Sequence, residues 1–492
     1  MYVAAAFLAI GVVYSQPVMA QKPSLPQGTR DFGPLMVQRR KYILNTIETV
    51  FKKYGFMPLE TPSMEQLSTL TGKYGDEGDT LLYKILNSGN YFSKLIEYQE
   101  RGMGHEEMDK TFLPSLDGKV SGLDYKNSLR FIAEKGLRYD LTVPFARYVV
   151  MNRNDITLPF KRYQMQPVWR ADKAQKGRYR EFWQCDADVV GSNSLVNEAE
   201  LLSMYAEVFE KLQLPVLIKV NNRKLLNALA IKIGAAELFA SITVAIDKLE
   251  KIGEDGLKGE LEKLSLHTEQ INEVIHFLAL GKNPNAMEIL EESLGHIEDG
   301  KLGCEELNKT FAFLQQMGYG HSVQLDLTLA RGLSYYTGAI VEVQAKIGSL
   351  KSSIGGGGRY DNLTGIFGMP GISGVGISFG LDRIYDVLEE QGLFPEGLKG
   401  SETRILFCYF DEACQAKAIE LCTQVRQAGI AAEVYPEPTK KINKQLEYAD
   451  KKQIPFACII GSNEMSNNRY MVKNLLTREQ IEVSAEDILK TL

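Results

Sequence analysis

Histidine is scarce in this chain: five occur in 492 residues, and no two lie three or four positions apart. That spacing excludes a helical pair of zinc ligands. Cysteine is scarce too. Cys185, Cys304, Cys408, Cys414, Cys422 and Cys458 include no C-x-x-C pair and are too few for a disulfide scaffold. The expectation is a reduced protein with no structural metal. Basic charge is not in excess, since 56 Lys and Arg against 62 Asp and Glu leave a net charge of −6. A nucleic-acid partner would have to be held by local basic patches on an acidic background.

Long apolar runs are missing, apart from Val3 to Tyr14 at the start. This run is short for a membrane span, and Pro17 interrupts its end. Val18, Met19 and Ala20 resemble a secretory cleavage site, but no basic residue precedes Lys22. The expectation for residues 1–18 is an upstream extension with no role and translation from Met19, with a true signal as the alternative.

The common nucleotide signatures are also absent. No Gly-Lys pair is followed by Ser or Thr, so there is no Walker A loop. Gly374 and Gly376 lack the third residue of a dinucleotide fingerprint and come late in the chain. Gly376 to Gly380 matches G-x-S-x-G, yet no histidine follows His321, so the order needed by an α/β-hydrolase triad is broken.

What remains is an ordinary globular composition, 44% hydrophobic and 24% charged, in a length that suggests about three domains. Residues 35–54 carry an apolar helical stripe. Short strands are expected at 131–133, 160–170 and 183–190, a helix over 195–212 and a strand over 216–220. Residues 90–128 read as an irregular insertion. Residues 223–317 are rich in Leu, Glu and Lys and read as helical. Strand signals return at 323–329, 338–344, 355–358 and 375–379, followed by a helix over 381–391. After 403, strands alternate with helices, which indicates a small α/β domain with a partly parallel sheet.

The most informative stretch is 161–191, KRYQMQPVWRADKAQKGRYREFWQCDADVVG. Lys161, Arg162, Arg170, Lys173, Lys176, Arg178 and Arg180 interleave with Tyr163, Trp169, Tyr179, Phe182 and Trp183. One reading is an exposed basic hairpin. The sharper one is a nucleotide site, where guanidinium forks hold phosphate and rings stack on the base.

This stretch resembles motif 2 of class II aminoacyl-tRNA synthetases, and further blocks narrow the resemblance to the histidyl-tRNA synthetase family. Residues 25–34, LPQGTRDFGP, are similar to that family's N-terminal signature. Tyr54 to Pro62 is similar to motif 1, and residues 374–384, GVGISFGLDRI, to motif 3. Leu329 to Gly338 and Gly355 to Asp361 resemble two blocks peculiar to the histidine enzyme. The resemblance runs from about Gln21 to the C-terminus and is weakest over 90–128.

The resemblance implies an α+β class II synthetase catalytic domain, an antiparallel sheet flanked by helices, with a helical insertion and a C-terminal α/β anticodon-binding domain. The implied boundaries are 19–222 and 321–398 for the two parts of the catalytic domain, 223–320 for the insertion and 403–492 for the anticodon domain. The implied activity joins L-histidine to tRNA(His) through histidyl-adenylate, with ATP as substrate and Mg²⁺ as its ion.

By the same resemblance, Arg170 bridges the α-phosphate and the amino acid's carboxylate, and Arg331 also meets the α-phosphate; both are implied catalytic residues. Phe182 and Arg383 match the pair that sandwiches adenine, and Arg178 the residue that reaches the outer phosphates. Gln184 and Asp188 match positions that meet the imidazole, and Tyr335 and Tyr336 the pair that closes around it. Asp140, Leu141 and Thr142 match the site of the α-ammonium. Ser334 and Ala174 depart from the family's usual Asp and Pro. Lys440, Lys441, Lys444, Lys451 and Lys452 are candidates for anticodon-stem phosphates, with ordinary solvated charge as the plainer reading. The helical insertion is implied to approach the acceptor stem.

A cytoplasmic homodimer with no membrane partner is implied, the dimer resting on motif 1. The competing reading is a catalytically silent regulatory paralogue that senses histidine or uncharged tRNA. Such paralogues lack an anticodon domain, whereas this chain has one by resemblance and keeps Arg170, Arg331 and Arg383. Synthetases for threonine, proline or glycine would not carry the Arg331 block or the Gly355 to Arg359 block in this form. The signatures of class I synthetases are absent.

Overall fold

The computed structural model describes residues 22–89, 132–330, 335–439 and 441–492. The expectations for residues 1–18 and 90–128, and those for Arg331, Ser334 and Lys440, fall outside the described residues.

Sixteen strands are described. In chain order they are β1 (Met57–Pro58), β2 (Met64–Gln66), β3 (Lys84–Ile85), β4 (Lys135–Leu137), β5 (Phe160–Trp169), β6 (Glu181–Val190), β7 (Val216–Asn222) and β8 (Val323–Leu325). They continue as β9 (Ala339–Ala345), β10 (Gly355–Tyr360), β11 (Gly374–Gly380), β12 (Ile405–Tyr409), β13 (Ala432–Val434), β14 (Phe456–Ile460), β15 (Arg469–Asn474) and β16 (Gln480–Ser484).

Eight of them form one sheet in the order β1-β5-β6-β11-β10-β9-β7-β8. Its middle is antiparallel, but β1 runs parallel to β5 and β8 parallel to β7. The sheet is therefore mixed at both edges rather than antiparallel throughout. The chain explains this: long segments separate β1 from β5 and β7 from β8, and only such crossovers allow parallel pairing.

Alternation along β5 and β6 divides the sheet into two faces. Tyr163, Met165, Cys185, Ala187 and Val189 belong to the main apolar core, beneath the helices Pro34–Lys53 and Val196–Lys211. Phe379 and Tyr205 meet there with ring centroids 4.5 Å apart, and burying such a ring contributes about 1.5–3 kcal/mol. The opposite face carries Arg162, Gln164, Phe182, Gln184, Asp186 and Asp188. A polar face on the central strands of a sheet needs a solvated cleft or a ligand.

Helices follow over 223–316, including Arg223–Lys232, Thr268–Leu280 and Glu298–Gln316. They share the main core through Leu225, Leu229, Leu257, Leu290 and Leu307, so the region packs as an extension of the sheet's own core.

The C-terminal sheet has the order β13-β12-β14-β15-β16. Its first three strands are parallel and the last two pair antiparallel. It has a separate core around Phe407, Leu421, Cys458 and Tyr470. The helix Glu412–Gln427 starts where the Asp411 side chain accepts from Cys414 N at 2.9 Å.

Three local expectations are corrected. The strand expected at 131–133 is β4, at Lys135–Leu137, in a small sheet of order β2-β4-β3. The strand expected over 323–329 ends at Leu325, because Asp326 Oδ1 accepts from the Thr328 amide (3.0 Å) and hydroxyl (2.6 Å) and turns the chain. The span 129–191 also contains a helix, Thr142–Met151. Pro144 sits within its first turn, where a proline lacks only an N–H that would have no helical partner.

Candidate active site

The polar face of the large sheet floors a cavity of about 530 Å³. Arg170, Arg178, Phe182, Gln184, Tyr336 and Arg383 line it, with Tyr74, Tyr139, Asp172, Glu342 and Ser378. Six of the residues singled out from the sequence thus share one space, although they come from segments more than 200 positions apart.

Gly355, Gly356 and Gly357 of β10 give the cavity a backbone floor, and the strand is close-packed. A Cβ on Gly357 would lie 2.1 Å from the Gly376 carbonyl oxygen, and one on Gly358 would lie 2.5 Å from the Ala339 oxygen. Only glycine fits at these two positions of β10. The tetraglycine is a strand packed flat between β9 and β11, not a linker.

Arg170 follows the end of β5. Its Nε donates to the Tyr139 carbonyl at 3.0 Å, and Nη2 donates to Gln184 Oε1 at 3.4 Å. The guanidinium lies 4.1 Å from the Tyr139 ring centroid and 5.2 Å from that of Phe182. Arg383, near the start of the helix after β11, donates to the carbonyls of Gly177 (2.8 Å) and Ser353 (2.7 Å). These bonds fix its plane and tie the turn between β5 and β6 to the cavity wall. Burial lowers the Arg383 pKa, and repulsion from Arg170 and Arg178 lowers it further. Arg383 therefore shares the cavity wall with Arg170 and Arg178, and like charges gather at one side of it. The nearest carboxylate to Arg178 is Asp172, at 3.8 Å.

The remaining residues singled out from the sequence sit behind the wall. Asp140 is 1% exposed and accepts from Tyr74 Oη at 3.1 Å, Val143 N at 3.1 Å and Tyr335 Oη at 3.4 Å. Burial raises its pKa, against the pull of those donors and of Arg170. Tyr335 meets the edge of Tyr336 with centroids 5.1 Å apart, and Thr142 begins the helix that follows Asp140. Leu141 is fully buried and gives its carbonyl to Arg162 Nη2 at 3.2 Å. Asp188 is paired with Arg162 at 2.8 Å and accepts from Tyr360 Oη at 2.6 Å. Arg331 is outside the described residues.

Several residues here escaped sequence reasoning. Tyr74 reaches Asp140 from a distant segment and packs its ring at a tilt against Tyr139, with centroids 4.5 Å apart. Arg138 is buried and donates to the Thr61 (2.6 Å) and Pro167 (2.8 Å) carbonyls, which fixes the chain entering Asp140. Burial lowers its pKa to about 10. Arg30, in the opening block, lies 3.5 Å from the Tyr179 ring centroid and pairs with Asp382 at 2.7 Å. Asp186 lies between Gln184 and Asp188 on the cavity face. Burial pushes its carboxyl up, and Arg162 pulls it partly back. A period-2 reading of β6 would have flagged Asp186; nothing local flags Tyr74.

A profile described as histidyl-tRNA synthetase matches residues 123–384, and one described as an anticodon binding domain matches residues 399–492. A histidine–tRNA ligase of Cytophaga hutchinsonii is 50% identical over 475 residues, covering 96% of this chain and 100% of that protein. One of Phocaeicola vulgatus is 51% identical over 476 residues, covering 96% and 99%. The chain belongs to the histidyl-tRNA synthetase family. The fold agrees: a crystal structure of histidyl-tRNA synthetase from Nostoc sp. PCC 7120 superposes with a TM-score of 0.75 at 31% identity, covering 96% of this chain and 100% of that one. In this synthetase-family chain the separate C-terminal core coincides with the segment matched as an anticodon binding domain.

Proposed function

We infer that this chain is a histidine–tRNA ligase. It activates L-histidine with ATP to histidyl-adenylate and passes the histidyl group to the 3′ end of tRNA(His). The observation that carries the reading is the convergence of Arg170, Arg178 and Arg383 with the Phe182 ring in one cavity, within a chain matched over 96% of its length by a histidine–tRNA ligase. Cations held where they repel one another suit a polyanion, and the ring beside them suits a base.

In the first step the histidine carboxylate attacks the α-phosphate and pyrophosphate leaves. Negative charge gathers on the phosphoryl oxygens, so fixed donors there lower the barrier. Arg170 is assigned to that phosphate and to the attacking carboxylate. Its side chain is held by Tyr139 and Gln184 before substrate arrives, so less reorganisation accompanies reaction. Arg331 is assigned to the same phosphate by the family resemblance alone. Phe182 and Arg383 hold adenine, and Arg178 holds the outer phosphates. Asp140, Leu141 and Thr142 take the α-ammonium, and Tyr335 closes with Tyr336 around the imidazole. Gln184, Tyr336 and Asp188 shape the imidazole subsite. A pocket that hydrogen-bonds the ring rejects apolar side chains strongly, because its own polar groups would be left unpaired.

Among the described residues no group of three or more metal-ligating side chains is found. Such a site fits Mg²⁺ that arrives on the ATP phosphates with at most one or two protein carboxylates, of which Glu342 and Asp172 line the cavity. When bound, the ion neutralises charge on the departing pyrophosphate.

The assigned segments are 19–222 and 321–398 for the catalytic domain, 223–320 for the insertion and 403–492 for the anticodon domain. The two separate apolar cores support the last boundary. The homodimer reading is supported by exposed Met57 and Met64 in the motif 1 region, 51% and 54% accessible. The cytoplasmic reading is supported by the six free, buried cysteines, and no helix of the described residues is long and apolar enough to cross a membrane.

The test is ATP–pyrophosphate exchange with each of the twenty amino acids, followed by aminoacylation of tRNA. Exchange with histidine alone supports the reading. A folded protein with no exchange supports the regulatory paralogue instead.

A further inference from the structure

Arg178, assigned above to the outer phosphates, is weakly held at its own tip. Its side chain is 45% exposed, and its pair with Asp172 is long, at 3.8 Å. Its place in the cavity therefore follows from the backbone that carries it. That backbone is a turn between β5 and β6. The Gln175 amide donates to the Arg178 carbonyl at 3.2 Å, and the Arg178 amide donates to the Gln175 carbonyl at 2.9 Å. Gly177 takes a φ of 73° within the turn, and its carbonyl accepts from Arg383 Nε at 2.8 Å.

The other side of Arg178 is held by the opening block of the chain. Arg30 lays its guanidinium 3.5 Å from the centroid of the Tyr179 ring. Its two Nη atoms donate to Asp382 Oδ1 at 2.7 Å and to Asp386 Oδ1 at 3.3 Å. Tyr179 Oη donates to the second oxygen of Asp386 at 2.6 Å. The tyrosine is thus covered on its face by Arg30 and fixed at its hydroxyl by a carboxylate that Arg30 also holds. One position on, the Arg180 amide donates to the Gly28 carbonyl at 2.8 Å. Asp382, Arg383 and Asp386 all belong to the helix Leu381–Glu390, so Gly177 and Tyr179, the two neighbours of Arg178, are tied to one helix.

We propose that Arg30 is a positioning residue for ATP: it clamps Tyr179 against the helix Leu381–Glu390 and thereby fixes the Arg178 guanidinium in the phosphate end of the cavity. This inference rests on the ATP-site reading above. Arg178 and Tyr179 line the cavity, and Arg30 stands behind them, so its influence on ATP passes through the turn. Removing it strands no carboxylate, because Asp382 keeps Arg40 at 2.5 Å and Asp386 keeps Tyr179.

The experiment is ATP–pyrophosphate exchange on the full chain, with KM for ATP and for histidine measured separately. The proteins are wild type, Arg30→Ala, Tyr179→Leu, Arg178→Ala, and each of the first two substitutions combined with Arg178→Ala. Arg30→Ala is expected to raise the ATP KM on the order of fivefold, the scale of one lost cation–π contact. The histidine KM stays unchanged and kcat moves within about twofold, the pattern of weakened ground-state binding. Tyr179→Leu gives the same pattern. In the Arg178→Ala background neither substitution raises the ATP KM further, because the group they position is gone. If Arg30→Ala does not fold, Tyr179→Leu, which leaves the Arg30–Asp382 pair in place, decides by the same comparison. A wild-type ATP KM in folded Arg30→Ala, or ATP and histidine KM values that rise together, overturns the proposal. So do effects of Arg30→Ala and Arg178→Ala that simply multiply, which would leave Arg30 as a staple of the fold. Two failures lie upstream. Absence of histidine exchange in the wild type removes the activity reading, and an unchanged ATP KM in Arg178→Ala removes the phosphate assignment; either takes this inference with it.

Discussion

Asp188 and Arg162 form an ion pair at 2.8 Å with side chains 3% and 0% exposed. They are cross-strand partners on β6 and β5, and Arg162 also lies 4.3 Å from the Phe145 ring centroid. Removing one partner of a buried pair strands the other charge, at a cost of about 3–5 kcal/mol. Asp188→Ala is therefore expected to lower stability by that amount in a denaturant melt, besides any effect on histidine. A melt unchanged from wild type would show that the pair is not maintained in solution.

Arg170→Ala is expected to reduce histidine-dependent exchange by about 10²–10³-fold, the usual loss when one fixed donor to a charged transition state is removed. Its anchors are a backbone carbonyl and Gln184, so the fold should survive, and circular dichroism checks this. Arg331→Ala should nearly abolish adenylate formation in a folded protein. Near-normal exchange in either variant would defeat the role assigned to that residue.

Asp140 gives a pH-dependent prediction. Burial raises its folded pKa above the unfolded value, so its favourable contribution exists at low pH and is lost as pH rises through the folded pKa. Asp140→Asn avoids that cost. The Tm difference between the variant and wild type, measured without ligand, should be negligible below about pH 4 and grow in the variant's favour above it. The same substitution should raise the histidine KM on the order of 100-fold, because the α-ammonium loses its charged partner. A Tm difference that shrinks with rising pH would contradict the sign.

The C-terminal lysines separate into two groups. Lys452 Nζ sits 2.6 Å from both carboxylate oxygens of Glu433, whereas Lys441, Lys444 and Lys451 are exposed. Charge reversal of Lys444 or Lys451 should weaken tRNA binding and reduce the salt slope by about one for each phosphate no longer neutralised. Lys452→Ala should leave that slope unchanged. Filter binding across a salt series measures both. An equal effect from Lys452→Ala would return it to the tRNA-facing set.

The legibility of this molecule followed the range of the interactions involved. The β5–β6 hairpin could be read because period-2 alternation is a local property of FWQCDADVV, and its extent differs from the expected strands by two residues or fewer. Arg170, Arg178, Phe182, Gln184 and Arg383 could be gathered because they lie in ordered blocks that resemble one family. Partnerships across the sheet could not be read. The ion pair that occupies Asp188 depends on β5–β6 register, and Tyr74 reaches Asp140 from 66 positions away. Lys452 looked like its neighbours until folding brought Glu433 beside it. Helix Thr142–Met151 is passed over in a span that otherwise reads as short strands.

The glycine floor has a consequence for how this pocket can change over time. Side chains ordinarily tune a cavity by growing or shrinking, but at Gly357, which lines it, an added carbon would lie 2.1 Å from the Gly376 carbonyl oxygen. Drift at that position is closed, and so is redesign. A new amino-acid preference would have to arise in the walls, at Gln184, Ser378 or Tyr336, while the base of the site passes unaltered from ancestor to descendant.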